Sequence, residues 1–110
     1  MRSARSRVGK DFNLEERMAA CAAAIESEPA AWKGQWRFWT SAGQERRTEP
    51  YRKVVLDLGC GKGEYTVACA RQNPDVLFVG LDIEPICVMR AAEAALAQDA
   101  ANAVFVYGDD

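Results

Sequence analysis

Half of a doubly wound α/β fold, built on three parallel strands, is the architecture that the sequence predicts. Three observations carry it. Val54–Leu58 and Val76–Leu81 are short, nearly continuous apolar runs, as expected of strands buried on both faces, and Val104–Tyr107 is a third. Two segments of helix-forming composition, Glu64–Gln72 and "ICVMRAAEAALAQDA", separate the runs. The glycine-rich stretch "LDLGCGKGEY", residues 56–65, follows the first run directly. Strand-helix-strand-helix-strand in this order implies right-handed crossovers and a single parallel sheet with strand order 3-2-1.

The elements follow from local chemistry. Residues 1–12 carry Arg2, Arg5, Arg7 and Lys10 among small residues, an exposed basic arm that suits phosphate contact or simple solubilisation. Asn13 with Glu16 three positions later predicts a helix start. Leu14, Met18, Cys21 (or Ala22) and Ile25 then recur on one face, and Pro29 marks the end. Trp32, Trp36 and Trp39 fit a helix face at i, i+4, i+7, which predicts packing against the domain. Their interleaving with Lys33 and Arg37 also allows stacking on nucleic-acid bases. "SAGQERRTEP" reads as a polar linker. Beyond it, the helix from Glu64 turns Val67 and Ala68 toward the sheet and closes at Asn73 and Pro74. The second strand ends on Asp82, Glu84 is placed to cap the next helix with Pro85 in its first turn, and the third strand runs into "GDD". The division expected is 1–52, a basic arm and helical segment, and 53–110, a ligand-binding half-sheet.

Composition narrows the function classes. At 110 residues, 49% hydrophobic and 27% charged, the chain reads as one soluble globular unit with a modest core. No run approaches the ~20 apolar residues of a membrane span, and no signal-peptide core follows the basic start, so a cytoplasmic setting is expected. There is no histidine, which excludes Ser-His-Asp and Cys-His mechanisms within these residues. Cys21, Cys60, Cys69 and Cys87 lack close pairing, so no metal site is expected and the thiols read as small apolar residues. Charge is unevenly spread. Residues 1–53 hold 11 Lys/Arg against 7 Asp/Glu, and residues 54–110 hold 3 against 9. That asymmetry hints at a polyanion on the first half.

The glycine loop lies at the carboxyl end of the first strand, where open α/β sheets hold ligands. Gly59, Gly61 and Gly63 permit positive φ and close backbone approach, and the following helix offers free N–H groups. The spacing is G-x-G-x-G, not the G-x-G-x-x-G of dinucleotide binders, and Glu64 at the helix start disfavours a pyrophosphate. The spacer and ending of a P-loop are also missing. S-adenosylmethionine has no phosphate and carries a sulfonium and an amino group, which acidic neighbours favour. Asp57 is placed to attract its ammonium, Asp82 to accept its ribose hydroxyls, and Asp109 to accept the adenine amino group. Each is also an ordinary turn or cap aspartate taken singly; the three in register with the glycine loop point to the cofactor.

"LDLGCGKGEY…ARQNPDVLFVGLDIE…GDD" resembles the cofactor half of a class I S-adenosylmethionine-dependent methyltransferase, with its Rossmann-like fold. More narrowly it resembles bacterial tRNA (guanine-N7-)-methyltransferases, through the "GxGKGEY" loop, the "NPDVLFVGLDIE" segment and the arginine-rich start. Residues 53–110 carry the likeness well, and 1–52 loosely, through "RSRVGK" and "KGQWR". One departure is Asp57, where that family often has Glu. The resemblance implies cofactor contacts at Asp57, Gly59, Gly61, Gly63, Asp82 and Asp109. It also implies methyl transfer to N7 of a tRNA guanine, with Arg2, Arg5, Arg7 and Lys10 as candidates for tRNA phosphate contact. Family members continue with an Asp-Pro-containing substrate motif and further strands. No catalytic residue is therefore expected within these 110 residues, and the chain alone is expected to be inactive and to expose a sheet edge prone to self-association. Two other classes fit the residues: a class I methyltransferase acting on a small molecule or protein, and a non-catalytic cofactor- or RNA-binding module.

Overall fold

The computed structural model of the chain describes residues 13–108. Helix α1 spans Leu14–Ala20 and begins as its sequence dictates, with the Asn13 side chain accepting the Glu16 N–H at 2.9 Å. It is shorter than the apolar spacing suggests. After a single 3-10 turn at Ala22–Ala24, Ile25 turns extended (φ −120°, ψ 130°) and pairs in parallel with Phe105, while Glu26 N–H donates to the Phe105 carbonyl at 3.0 Å. Pairing with the sheet outranks the helix propensity of the alanines.

The tryptophan segment also departs from one continuous helix. It forms 3-10 turns at Pro29–Trp32 and Trp36–Phe38, separated by Gly34 at φ 75°. Packing is nonetheless what the rings do. Trp39 is buried with its indole N–H donating to Glu26 Oε1 at 2.9 Å, and Trp32 and Trp36 lie half-buried against the same cluster.

The remainder forms strand β1 (Lys53–Leu58), helix α2 (Glu64–Gln72), strand β2 (Val76–Asp82), helix α3 (Pro85–Ala97) and strand β3 (Ala103–Tyr107). All pairings are parallel and β2 is central, so the order 3-2-1 holds. The period of two gives each face its own core. Val55, Phe78 and Phe105 pack against α2 and α3. Leu77, Val79, Val104 and Val106 meet Trp39 and Tyr51, supplied by the segment before β1. Helix α2 buries Thr66, Val67 and Ala70; Val67 faces inward as the sequence suggested, whereas Ala68 is exposed. Among the described residues no helix is long and apolar enough to cross a membrane. The outer edge of β1 has no strand partner among them, and Leu56 and Leu58 there are 58% and 71% exposed.

Asn102 ties this scaffold together. Its buried side-chain amide lies 2.9, 2.9 and 2.8 Å from the carbonyls of Ala70, Asn73 and Val76, joining the end of α2 to the start of β2. Asn102→Leu strips these carbonyls of a donor in a dry setting. A loss of about 1–3 kcal/mol is expected, read as a lower urea midpoint at unchanged slope.

Candidate functional site

The loop from Gly59 to Gly63 is fastened across the carboxyl end of β2. The N–H groups of Gly59 and Cys60 both donate to the Leu81 carbonyl, at 2.7 and 3.0 Å, and Gly61 N–H donates to Asp82 Oδ2 at 3.0 Å. The other carboxylate oxygen of Asp82 accepts from Glu84 N–H at 2.9 Å. Asp82, rather than the Glu84 side chain, therefore supplies the acceptor at the start of α3. Asp57 sits at the end of β1 and accepts a hydrogen bond from the Thr66 hydroxyl in α2. Since Asp57 pairs with Gly80, two positions before Asp82, both carboxylates lie on the helix-bearing face of the sheet at its carboxyl rim.

The glycines divide into two kinds. Gly59 and Gly61 have φ of 69° and 58°, and a Cβ added at either would meet nothing within 4 Å. Their open side leaves backbone accessible to a ligand. Gly63, at φ 77°, is different. A Cβ there would come within 2.5 Å of Ala91 Cβ and 2.8 Å of Ala91 Cα. That glycine sets how closely the start of α2 approaches α3.

The rim is acidic, and its thiols record the fact. Burial first, then the Asp82 and Asp57 carboxylates, push the Cys60 thiol up to about 12. Burial and then Asp82 and Glu84 raise Cys87 in the same direction. Neither is a thiolate near neutrality, so neither is a nucleophile. Because the folded chain holds the Cys60 proton more tightly than an unfolded thiol of pKa 9.0, this contribution to stability is intact below pH 9. It is lost as pH rises from there through about 12. Alkylation of Cys60 by iodoacetamide at pH 8 is accordingly expected to be at least tenfold slower in the folded chain than in urea. Equal rates would remove the burial from the account.

Of the residues that the sequence singles out, the structure brings Asp57, Gly59, Gly61, Gly63 and Asp82 together. Asp109, Arg2, Arg5, Arg7 and Lys10 lie outside the described residues. Two contributors escaped sequence reasoning. Thr66, 1% exposed, is a hydroxyl on the buried stripe of α2, and its position beside Val67 was the available signal. Gly80 is the other. A Cβ there would lie 2.7 and 2.8 Å from the Phe105 ring and 3.0 Å from Cys60 Cβ, so its absence seats the loop against β3; a lone glycine in an apolar strand was its sign. Among the described residues no group of three or more His, Cys, Asp or Glu is placed to hold a metal ion.

Comparison with known proteins bears on this arrangement. The chain is 51% identical over 53 residues to the tRNA (guanine-N(7)-)-methyltransferase of Christiangramia forsetii, covering 48% of the chain and 24% of that relative. It is 33% identical over 82 residues to the enzyme of the same name from Limosilactobacillus fermentum, covering 74% and 34%. The matched segments of the chain thus span about a quarter to a third of the length of these curated relatives. In fold it is similar to the 30S ribosomal A1408 methyltransferase from an uncultured bacterium, with a TM-score of 0.50 at 23% identity over 61% of the chain and 38% of that structure. A family model described as a methyltransferase domain matches residues 51–109, from the last turn before β1 to the residue after Gly108, and with more than half its length so matched the chain belongs to that family.

Proposed function

We propose that the chain supplies the S-adenosylmethionine-binding half of a methyltransferase acting on N7 of a guanine in tRNA. The observation that carries the cofactor assignment is the glycine loop fastened to Asp82 at the end of β2, with Asp57 near the end of the adjacent β1 on the same face and Gly59 and Gly61 open beside them. The carboxylate acceptors suit a ligand that is cationic at one end and a sugar diol in the middle. Asp57 spends one oxygen on Thr66 and keeps the other for an ammonium group. Asp82 accepts one backbone N–H on each oxygen and retains a lone pair on each for vicinal hydroxyls. Asp109, carried by sequence position alone, is assigned the adenine amino group. The tRNA substrate rests on the names of the two relatives, at the partial coverage given above.

Bound S-adenosylmethionine supplies an electrophilic methyl group. Guanine N7 already has an in-plane lone pair, so no residue is required to remove a proton from it. The chain's own part is to fix the cofactor's orientation, an entropic contribution, and to leave one side of the rim open to the acceptor. The 110 residues alone are expected to leave tRNA unmethylated, since the matched segments make up only 24% and 34% of these relatives.

Ultraviolet crosslinking of methyl-tritiated S-adenosylmethionine tests the site. Label is expected on peptides containing residues 57–63, competed by S-adenosylhomocysteine. Label elsewhere, or competition by NAD alone, overturns the assignment.

A further inference from the structure

The positive half of the charge asymmetry can be placed more narrowly than the sequence tally allows. Residues 1–32 contain five Lys/Arg and five Asp/Glu, so they contribute no excess. The whole surplus lies in residues 33–53, where Lys33, Arg37, Arg46, Arg47, Arg52 and Lys53 face only Glu45 and Glu49. Arg52 is offset by its ion pair with Asp75 at 2.7 Å. Two of the others are held in an unusual way. The Arg46 guanidinium lies 5.3 Å from the Trp32 ring centroid and also donates to Gln35 Oε1 at 3.0 Å. The Arg47 guanidinium lies 3.8 Å from the Tyr51 ring centroid, its Nε donating to the Glu49 carbonyl at 3.0 Å. Both charges are propped on aromatic rings that are themselves packed against the sheet, and among the described residues neither makes an ion pair with a carboxylate.

We infer that this surface, centred on Arg46 and Arg47, binds the phosphate backbone of RNA. The partner's identity rests on the tRNA reading given above, whereas the surface stands on its own geometry. Guanidinium planes already laid on rings lose little freedom when they dock, and their remaining N–H groups match phosphate oxygens. An anionic membrane suits the surface less well. Interfacial binding wants exposed apolar side chains beside the cations, and the exposed large apolar residues here are Leu56, Leu58, Tyr65, Ile83, Leu96 and Tyr107, all outside residues 33–53. Of the three tryptophans, Trp32 carries a cation, Trp36 lies against Trp32, and Trp39 is buried with its indole N–H on Glu26.

The test is fluorescence anisotropy of a labelled tRNA transcript titrated with the chain at several salt concentrations. Arg46→Gln/Arg47→Gln is expected to weaken binding at least tenfold. It should also flatten the dependence of log K on log salt by about two phosphate contacts. Unchanged affinity and slope overturn the inference. So does equal, variant-sensitive binding to vesicles of phosphatidylserine, which would make the surface a membrane site. Should the double variant not fold, Arg46→Gln alone, whose side chain lies on the Trp32 face and bonds Gln35, carries the same test with half the slope change. Calorimetry with S-adenosylhomocysteine keeps the two readings apart. Cofactor binding is expected to be the same in variant and parent, and its absence from both would overturn the methyltransferase site while leaving the anisotropy result to stand alone.

Discussion

Gly63→Ala is expected to destabilise the chain by about 3–5 kcal/mol, enough to unfold much of a small domain at 37 °C. Two costs add. The residue holds φ 77°, which an L side chain adopts at about 1–3 kcal/mol. The new methyl would also sit 2.5 Å from Ala91 Cβ and 2.8 Å from the Ala91 backbone, and backbone has no rotamer by which to retreat. Either α2 and α3 move apart or the loop gives up its turn, and overpacking of this kind typically costs a further 1–3 kcal/mol. Gly61→Ala separates the terms, because its φ of 58° is similar while the space beyond it is open. It should cost only about 1–2 kcal/mol. Urea unfolding followed by tryptophan fluorescence reads both. Equal losses for the two variants would show that the approach of α2 to α3 is not what Gly63 provides.

Asp82→Ala is the second large effect, and it divides between stability and binding. Removing the carboxylate leaves the N–H groups of Gly61 and Glu84 without their acceptors, at 3.0 and 2.9 Å respectively. Losing such a cap costs about 0.5–2 kcal/mol, and the glycine loop is freed from the end of β2. Affinity for S-adenosylhomocysteine is expected to fall at least a hundredfold, since both the ribose acceptor and the fixed loop are lost. Asp82→Asn discriminates. Its carbonyl oxygen still serves one backbone N–H, so the melting temperature should drop less than in Asp82→Ala while binding remains strongly impaired. Parent-like affinity in both variants would remove Asp82 from the site and leave it a loop fastener.

The half-sheet was legible because parallel strands read as nearly continuous apolar runs, and Val54–Leu58 and Val76–Leu81 are punctuated by glycine, asparagine and proline; β2 and β3 are buried as expected, whereas β1 has no buried residue. The rim was legible for a related reason: Asp57 and Asp82 each end a strand, and a period of two places them on one face once the register aligns Asp57 with Gly80. What failed was local inference where tertiary pairing decides. Ala22–Ala24 has every propensity for α-helix, yet Ile25 leaves to pair with Phe105. The three tryptophans have helical spacing, yet Gly34 breaks the segment into separate turns. Thr66 was invisible as a partner of Asp57 because nothing in a sequence announces a hydrogen bond across nine positions. The charge tally pointed at the first half of the chain. Only the contacts of Arg46 and Arg47 with Trp32 and Tyr51 show where within it the cations are held.

Isothermal titration of the 110-residue chain with S-adenosylhomocysteine and, separately, with NAD bears most directly on the glycine loop and its two carboxylates. The arrangement predicts saturable one-to-one binding of S-adenosylhomocysteine and no heat from NAD. NAD binding without S-adenosylhomocysteine binding would contradict it.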